Sequence, residues 1–377
     1  MIYFDHNATT PIDEQVFSAM EPYLKSGFGN ASGSHYLARE AHRALDIARE
    51  QIAELVNAHP SQVIFTSGGT EANNLAIKGS VLGMGLKHVY YGASEHPSVR
   101  DVARYVHEKH WAESQPLPVE PEGNVSVDTF SSLVSPDSLV SLMWANNETG
   151  VLNDVVALAA RNKVVFHSDA VQAAGKLTID FPASGVDMIS LSSHKLYGPK
   201  GAGALVAKKS LLLDPLIHGG GQEKGLRSGT ENIAAIVGFG EAARLARSRI
   251  GEQESVKAIR DALESRLSEI SGVTVFCQAV ERLPNTTFFA VAGIDGETLI
   301  MQLDQLGFAV ASGSACSSRS GKPSHVLLAM GVNEDVARGA IRVSLGRKNT
   351  LSEINAFVDS LSKVITDLKR MSVVAPC

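Results

Sequence analysis

The segment SHKLYGPKGAG at residues 193–203 places a histidine and a lysine side by side, directly after the apolar run DMISLS. Lys195 could be an ordinary solvated lysine, the commonest fate of that residue type. The preceding run is typical of a buried strand, however, and an amine at the end of such a strand is also available for covalent chemistry with an aldehyde. The polar residues elsewhere in the chain decide between these two interpretations.

Polar side chains also follow the other apolar runs that alternate with helical patterns along the first two thirds of the chain. This alternation predicts a largely parallel sheet covered by helices, and such sheets bind ligands beyond the carboxyl ends of their strands. Singly, Thr70 can cap a helix, His96 can be an ordinary histidine and Asp169 can cap a turn. Their concentration at one edge of the predicted sheet favours a ligand site. The candidates are Gly69, Thr70, His96, Asn147, Asp169, Gln172, Ser192, Ser193, His194 and Lys195.

One small molecule carries groups that match this set. A phosphate suits the helix N-terminus at Thr70, where backbone N–H groups and the helix dipole favour negative charge, and Ser192 and His194 can add donors. Asp169 can keep a ring nitrogen protonated, and Lys195 can form a Schiff base with an aldehyde. We therefore expect pyridoxal 5'-phosphate (PLP) as the cofactor, with Lys195 as its covalent anchor. A nucleotide fits less well, because the chain has neither GxGxxG after the first strand nor a P-loop.

Cys316, in the segment SGSACSSRSGKP, is a second candidate for chemistry. Its small neighbours cannot pack a core around the thiol, and a loop of such residues could carry the thiol into and out of a pocket. Arg319 and Lys322 could favour the thiolate. Cys277 ends an apolar strand and is expected to be structural, and Cys377 is terminal. These sparse cysteines, and HEKH in place of HExxH, predict neither a disulfide framework nor a metal site.

Composition and charge limit the classes of function. The chain has 377 residues, 44% of them hydrophobic, and a net charge of -6 at pH 7. This balance argues against direct nucleic-acid binding, and no apolar run approaches the ~20 residues that span a bilayer. No signal-peptide pattern is present, so we expect a cytoplasmic protein that acts on small molecules. Long charged helical patterns follow residue 230, and we predict a large domain at residues 14–257 and a small domain formed by residues 1–13 and 258–377.

Several motifs together resemble the NifS/IscS-type cysteine desulfurases, relatives of the class V aminotransferases. They are YFDHNATTP, FTSGGTEANNLAIKG, EHPSV, ANNETG, DAVQ, SHKLYGPKG, HGGGQEKGLRSGTEN, SGSACSS and IRVSLGR, in the family's order over nearly the whole chain. The resemblance implies an α/β protein of PLP fold type I, whose large domain has a mainly parallel seven-stranded sheet and whose smaller domain is α+β. It also implies a homodimer that converts L-cysteine to L-alanine and keeps the sulfur as a persulfide.

The same resemblance implies a role for each site residue. Lys195 would bind the cofactor covalently, Asp169 would pair with the pyridine nitrogen, and Cys316 would take the sulfur. His96 would stack on the ring and transfer protons, and Arg342 of IRVSLGR would hold the substrate carboxylate. Gln172 and Asn147 would lie near the phenolic oxygen of the ring, and Asn147 would also contact the substrate. The phosphate would be bound by Gly69, Thr70, Ser192, Ser193, His194 and Thr230 of the partner subunit.

Other functions stay open at this stage. A selenocysteine lyase or another class V aminotransferase-fold PLP enzyme would need the same cofactor site, whereas Lys195 with Asp169 disfavours a non-catalytic sulfur-handling protein. Cys316 distinguishes a desulfurase from an ordinary aminotransferase, which needs no thiol. The SGSACSS loop is of the longer type, associated with sulfur delivery to an acceptor such as an iron–sulfur scaffold. The short stretch between ANNETG and DAVQ predicts a shortened surface helix.

Overall fold

Strands and helices alternate along most of the chain in the computed structural model, which describes residues 1–161, 163–313 and 322–374. The strands are β1 (Ile2–Tyr3), β2 (Val63–Thr66), β3 (His88–Gly92), β4 (Glu113–Leu117), β5 (Ser138–Ser141), β6 (Val165–Asp169), β7 (Met188–Ser192), β8 (Gly203–Ala207), β9 (Val273–Val275), β10 (Thr286–Val291), β11 (Phe308–Ala309) and β12 (Ala340–Ser344). The helices are α1 (Glu14–Lys25), α2 (Tyr36–Leu55), α3 (Gly69–Asn74), α4 (Ser80–Met84), α5 (Pro97–Glu108), α6 (Val127–Leu133), α7 (Val155–Ala159), α8 (Phe181–Ser184), α9 (Ile233–Ser248), α10 (Gln253–Ser268), α11 (Gly296–Gln305), α12 (His325–Ala329), α13 (Glu334–Arg338) and α14 (Leu351–Val374).

The large sheet has seven strands in the order β2-β8-β7-β6-β5-β3-β4. Strand β8 runs antiparallel to both of its neighbours, and the other pairings are parallel. Every residue of β5, β7 and β8 is buried. Strands covered on both faces favour apolar side chains at successive positions. Strand β8 (GALVA) is apolar throughout, and β5 (SLVS) and β7 (MISLS) combine apolar side chains with small serines. The mainly parallel seven-stranded sheet is thus confirmed.

Apolar clusters cover both faces of this sheet. One face packs against α2 and α9 through residues such as Leu45 and Phe239. The other packs against α5 and the helix that contains α3, a π-helical turn at Leu75–Gly79 and α4. The expected shortened helix is α7, which has 5 residues. Because helices flank the sheet on both faces, its ligand-accessible edge is the one at the strand ends.

The C-terminal part of the chain forms a second layer with its own core. Strands β9, β10 and β12 make an antiparallel sheet in the order β12-β10-β9, and β1 pairs with β11. Phe4 joins a cluster that otherwise spans residues Val256 to Ile365, so the chain start packs with this layer. The boundaries at residues 13 and 257 stay a prediction. In the described part of the chain, no helix combines the length and apolar character needed to cross a bilayer.

Candidate active site

A cavity of about 340 Å³ opens at the carboxyl ends of β5, β6 and β7, where the sequence predicts the ligand. Ser193 is buried but does not line the cavity, and Thr230 lies exposed outside it. Cys316 falls outside the described residues, as do Arg319 and Cys377. The predicted site residues that line the cavity are Gly69, Thr70, His96, Asn147, Asp169, Gln172, Ser192, His194, Lys195 and Arg342.

One end of the cavity is built from hydrogen-bond donors. The N–H groups of Gly69 and Thr70 belong to the first helical turn, where the helix itself offers no acceptor. A Cβ atom at Gly69 would come within 2.8 Å of Val171 Cγ2, so only glycine fits against the neighbouring turn. The hydroxyl of Ser192, which lines the cavity, is buried without a hydrogen-bond partner among the described residues. Such an unsatisfied buried donor suits an anionic ligand.

The His194 ring lies at the same end and is neutral at pH 7. Burial, followed by the positive charges of Lys195 and Lys200, lowers the pKa of His194 to about 4. Its Nδ1 lies 3.1 Å from the Thr9 hydroxyl. A neutral ring that accepts this hydroxyl proton at Nδ1 carries its own proton on Nε2, where it can serve as a donor.

Asp169 ends β6 and is the only carboxylate among the described residues that line the cavity. Its Oδ2 accepts a hydrogen bond from Asn73 Nδ2 at 2.7 Å, and its Oδ1 accepts one from the Val171 N–H at 3.0 Å. Full burial raises the pKa of nearby Glu95, which does not line the cavity, well above its usual range. Asp169 is therefore the group able to present a negative charge to a ligand in this cavity.

Lys195 lies in the short 3-10 turn that follows β7. Its Nζ donates to the carbonyl oxygens of Asn7 at 2.5 Å and Ala8 at 2.7 Å. Gln172 Nε2 donates to the same Asn7 oxygen at 2.9 Å. The amine and the amide thus reach the cavity from different strand ends and meet at one backbone carbonyl.

His96 caps the start of α5 and holds a defined ring orientation. Its Nδ1 accepts the Ser98 N–H at 3.1 Å and lies 2.7 Å from the Ser98 hydroxyl. Burial is the main cause that lowers the pKa of His96; Asp169 opposes this shift, while Lys195 adds to it. The neutral ring therefore carries its proton on Nε2.

Arg342 reaches the cavity from β12 in the second layer, and its side chain is 2% exposed. Nη1 donates to the carbonyl oxygens of Asn147 at 2.8 Å and Gly313 at 2.5 Å, and Nη2 donates to Asp5 Oδ1 at 2.6 Å. Its Nε is buried and has no partner among the described residues. A buried guanidinium N–H without an acceptor indicates a place for an anionic group.

Some contributors were missed by the sequence analysis. Asn73, which also donates to Ser98 Oγ at 2.8 Å, supports Asp169. Asn7 and Ala8 contribute backbone carbonyls, and Asp5 pairs with Arg342. All four residues lie within the family motifs YFDHNATTP and FTSGGTEANNLAIKG, and membership in these motifs is the signal that could have identified them. Among the described residues, no three His, Cys, Asp or Glu side chains are grouped so that they could hold a metal ion.

Comparison with known proteins agrees with this geometry. The family model described as Aminotransferase class-V matches residues 2–357. A cysteine desulfurase IscS from Dictyoglomus turgidum is 41% identical over 379 residues, which cover 98% of this chain and 96% of that protein. The chain belongs to the cysteine desulfurase family of class V aminotransferases. This family is PLP-dependent, so the cofactor and the fold type I architecture expected from the sequence are confirmed.

Solved structures of cysteine desulfurase relatives share the whole fold. A NifS-like protein superposes with a TM-score of 0.91 at 34% identity, covering 97% of this chain and 99% of that one. A structure described as SspA in complex with cysteine has a TM-score of 0.80 at 33% identity, covering 93% of this chain and 100% of that one. Both layers of the present chain therefore belong to one family architecture.

Proposed function

We propose that this chain is a PLP-dependent cysteine desulfurase that converts L-cysteine to L-alanine and receives the sulfur on Cys316 as a persulfide. The observation that carries the proposal is the cavity, whose described lining residues include an amine, Lys195, one carboxylate, Asp169, and the buried guanidinium of Arg342. The similarity to proteins named cysteine desulfurase over 98% of the chain supports the same reaction.

The cavity fits the cofactor group by group. Lys195 would bind the aldehyde carbon, Asp169 would pair with the ring nitrogen, and the His96 ring would stack on the pyridine. When bound, PLP supplies an electron sink for charge that develops at the substrate α-carbon. The phenolic oxygen would face Gln172 and Asn147. The phosphate would lie against Gly69, Thr70, Ser192 and His194, which line the cavity. The contacts from Ser193 and from Thr230 of the partner subunit in a homodimer stay predictions from the sequence.

The chain's own residues would then handle protons and orientation. Arg342 Nε, which is buried and has no partner among the described residues, forms with Nη2 a fork suited to the substrate carboxylate. Lys195 Nζ would take the proton from the α-carbon, and His96 Nε2 would carry protons between substrate and solvent. The burial of Arg342 strengthens its electrostatic contact with the substrate carboxylate.

The sulfur step balances without any added oxidant. The Cys316 thiolate would attack the substrate sulfur, so that a sulfur–sulfur bond forms while the substrate carbon–sulfur bond breaks. The carbon takes up protons to become alanine, and the enzyme cysteine becomes a persulfide. Gly313, which precedes the segment containing Cys316, lines the cavity and accepts a hydrogen bond from Arg342. This position supports delivery of the thiol near the substrate.

The test is the variant Cys316→Ala, with Cys277→Ala as the matched control. Cys277 is half-buried, and burial raises the pKa of its thiol to about 11, so it is a poor nucleophile at pH 7. We expect Cys316→Ala to keep its visible cofactor absorption and to lose sulfide release in the presence of a reductant by roughly a thousandfold or more. Cys277→Ala should retain both. Undiminished sulfide release from Cys316→Ala would rule out this cysteine as the acceptor.

Partners and location belong to the same proposal. We expect a cytoplasmic homodimer that passes persulfide sulfur to an acceptor protein such as an iron–sulfur scaffold. The alternative substrate is L-selenocysteine, which has the same carboxylate and amine and differs only at the chalcogen. Comparing kcat/KM for the two amino acids separates a desulfurase from a selenocysteine lyase.

A further inference from the structure

Lys176 lies directly behind the cavity, and none of the roles described above uses it. Its Nζ donates to both oxygens of one residue, the Gln172 carbonyl at 2.9 Å and Gln172 Oε1 at 3.0 Å. Gln172 is 5% exposed and lines the cavity. Lys176 is thus linked to the cavity through a single side chain.

These contacts fix which end of the Gln172 amide faces which neighbour. The charged form of Lys176 only donates, so Oε1 is the amide atom that faces it, and the neutral amine can keep donating to the same oxygen. A backbone carbonyl only accepts, so the atom that meets the Asn7 oxygen at 2.9 Å must be Nε2. Two independent neighbours therefore assign the same orientation to an amide whose ends are otherwise hard to distinguish.

With Oε1 held by Lys176, the amide has one donor left to offer. Nε2 carries two protons, and the Asn7 carbonyl takes one of them. The same Asn7 oxygen also accepts from Lys195 Nζ, the proposed cofactor anchor. A continuous set of hydrogen bonds thus joins Lys176, Gln172, Asn7 and Lys195. The second Nε2 proton is available to a ligand beside Lys195.

We propose that Lys176 is a positioning residue, which holds the Gln172 amide so that an N–H, and not the carbonyl oxygen, faces the phenolic oxygen of PLP. This inference rests on the proposed function, since it needs PLP bound at Lys195. A donor at that point stabilises the ionised phenolic oxygen, whereas a flipped amide would place two oxygens against each other. Lys176 touches neither cofactor nor substrate, and its hydrogen bonds act on the cofactor through Gln172.

The charge of Lys176 acts in the same direction. Burial, followed by the positive charges of Lys195 and Arg342, lowers the pKa of Lys176 to about 7. Lys176 borders a second cavity of about 40 Å³. The other titratable groups that border this cavity are His6, Asp13, Lys195, Tyr197, Arg249 and Arg347. Any positive charge retained on Lys176 further favours an ionised phenolic oxygen.

The experiment compares Lys176→Met, Gln172→Ala and the double variant, each reconstituted with PLP. Methionine keeps much of the lysine length but cannot donate to the two Gln172 oxygens. We expect Lys176→Met to raise the pH midpoint of the cofactor's visible absorption by about one unit. The PLP dissociation constant should rise about threefold to tenfold. In the Gln172→Ala background, the same substitution should change the dissociation constant little, because the amide it positions is gone.

Lys208→Met is the matched control. Lys208 donates to Asp187 and to the Gly185 carbonyl, and it follows β8 at the opposite edge of the sheet from the cavity. Lys208→Met should leave the pH midpoint of the cofactor's visible absorption and the PLP dissociation constant unchanged. If Lys176→Met does not fold, Lys176→Gln, which keeps a neutral donor, should retain the parent dissociation constant.

Two results would overturn the inference. One is that Lys176→Met has the pH midpoint and the PLP dissociation constant of the parent protein. The other is that Lys176→Met weakens PLP binding equally in the parent protein and in the Gln172→Ala background. Failure of the parent protein to bind PLP at all is a separate result, which would contradict the proposed function instead.

Discussion

His96 and His194 line the cavity as neutral imidazoles at pH 7. Burial is the first cause in both cases, and the nearby Lys195 adds to the lowered pKa of each ring. The Nδ1 atom of His96 accepts the Ser98 N–H, so the exchangeable proton of this ring lies on Nε2. The Thr9 hydroxyl beside His194 Nδ1 can donate or accept. At the scale of the residue, therefore, the hydrogen bond to Ser98 decides which atom of His96 can act.

Arg342 allows a prediction about substrate binding. Arg342→Ala removes the Nε and Nη2 donors, so KM for L-cysteine should rise roughly 10- to 100-fold, the effect of losing hydrogen bonds between charged groups. The value of kcat should change less, because the lost contact binds the carboxylate in ground state and transition state alike. Steady-state kinetics with cysteine measure both constants.

The control for this prediction is Arg104→Ala, because Arg104 is 62% exposed on α5. Arg104→Ala should have the same KM and kcat as the parent protein. An unchanged KM in Arg342→Ala would move the carboxylate site elsewhere in the cavity.

At the scale of the element, the neighbouring strands β6 and β7 explain why much of the site could be predicted. Asp169 ends β6, and Ser192 ends β7 just before Lys195; paired parallel strands bring their ends together. The contributions of Asn7 and Ala8 could not be predicted, since their backbone carbonyls make the contacts and any residue type has one. The role of Lys176 could not be predicted, because it depends on the burial of this side chain, and the neighbouring residues in the sequence do not reveal that burial.

Strand β6 also carries a buried imidazole in its interior. His167 Nδ1 lies 2.8 Å from Ser141 Oγ on β5, and Nε2 lies 2.9 Å from Ser190 Oγ on β7. Burial lowers the pKa of His167 to about 3. In the unfolded chain, a histidine ionises near 6.5. Between these two values the unfolded state binds more protons, so His167 makes the folded state less stable as the pH falls.

We therefore predict that His167→Asn will reduce the pH dependence of stability. The difference in slope should be about 1 kcal/mol per pH unit between pH 6 and pH 4, measured from denaturant unfolding at several pH values. His88→Asn, at an exposed position on β3, is the control and should leave the slope unchanged. The same slope in His167→Asn and the parent would show that this imidazole does not set the acid sensitivity.

At the scale of the whole molecule, the site is assembled from parts that are far apart along the chain. Asn7 precedes the large sheet, Lys195 follows β7, and Arg342 lies in the small antiparallel sheet with its own apolar core. The sequence motifs predicted that these parts belong together, because their order resembles that of a known family. The distances between these parts could not be predicted from the motifs, because they depend on how the two layers pack in the folded chain.

The domain boundaries and the homodimer remain predictions at this scale. Phe4 packs with residues of the C-terminal core, as a small domain built from both chain ends requires. Thr230 is exposed and lies outside the cavity of its own chain, where a residue that serves a partner subunit would have to lie.

The central claim is that PLP is bound through Lys195 in the cavity opposite Asp169. Reduction of the holoenzyme with borohydride, followed by proteolysis and mass spectrometry of the cofactor-labelled peptide, tests it most directly. We predict a single labelled peptide that contains Lys195 and carries the label on that residue. A label on any other lysine, or no labelled peptide from a protein that has bound PLP, would contradict the account.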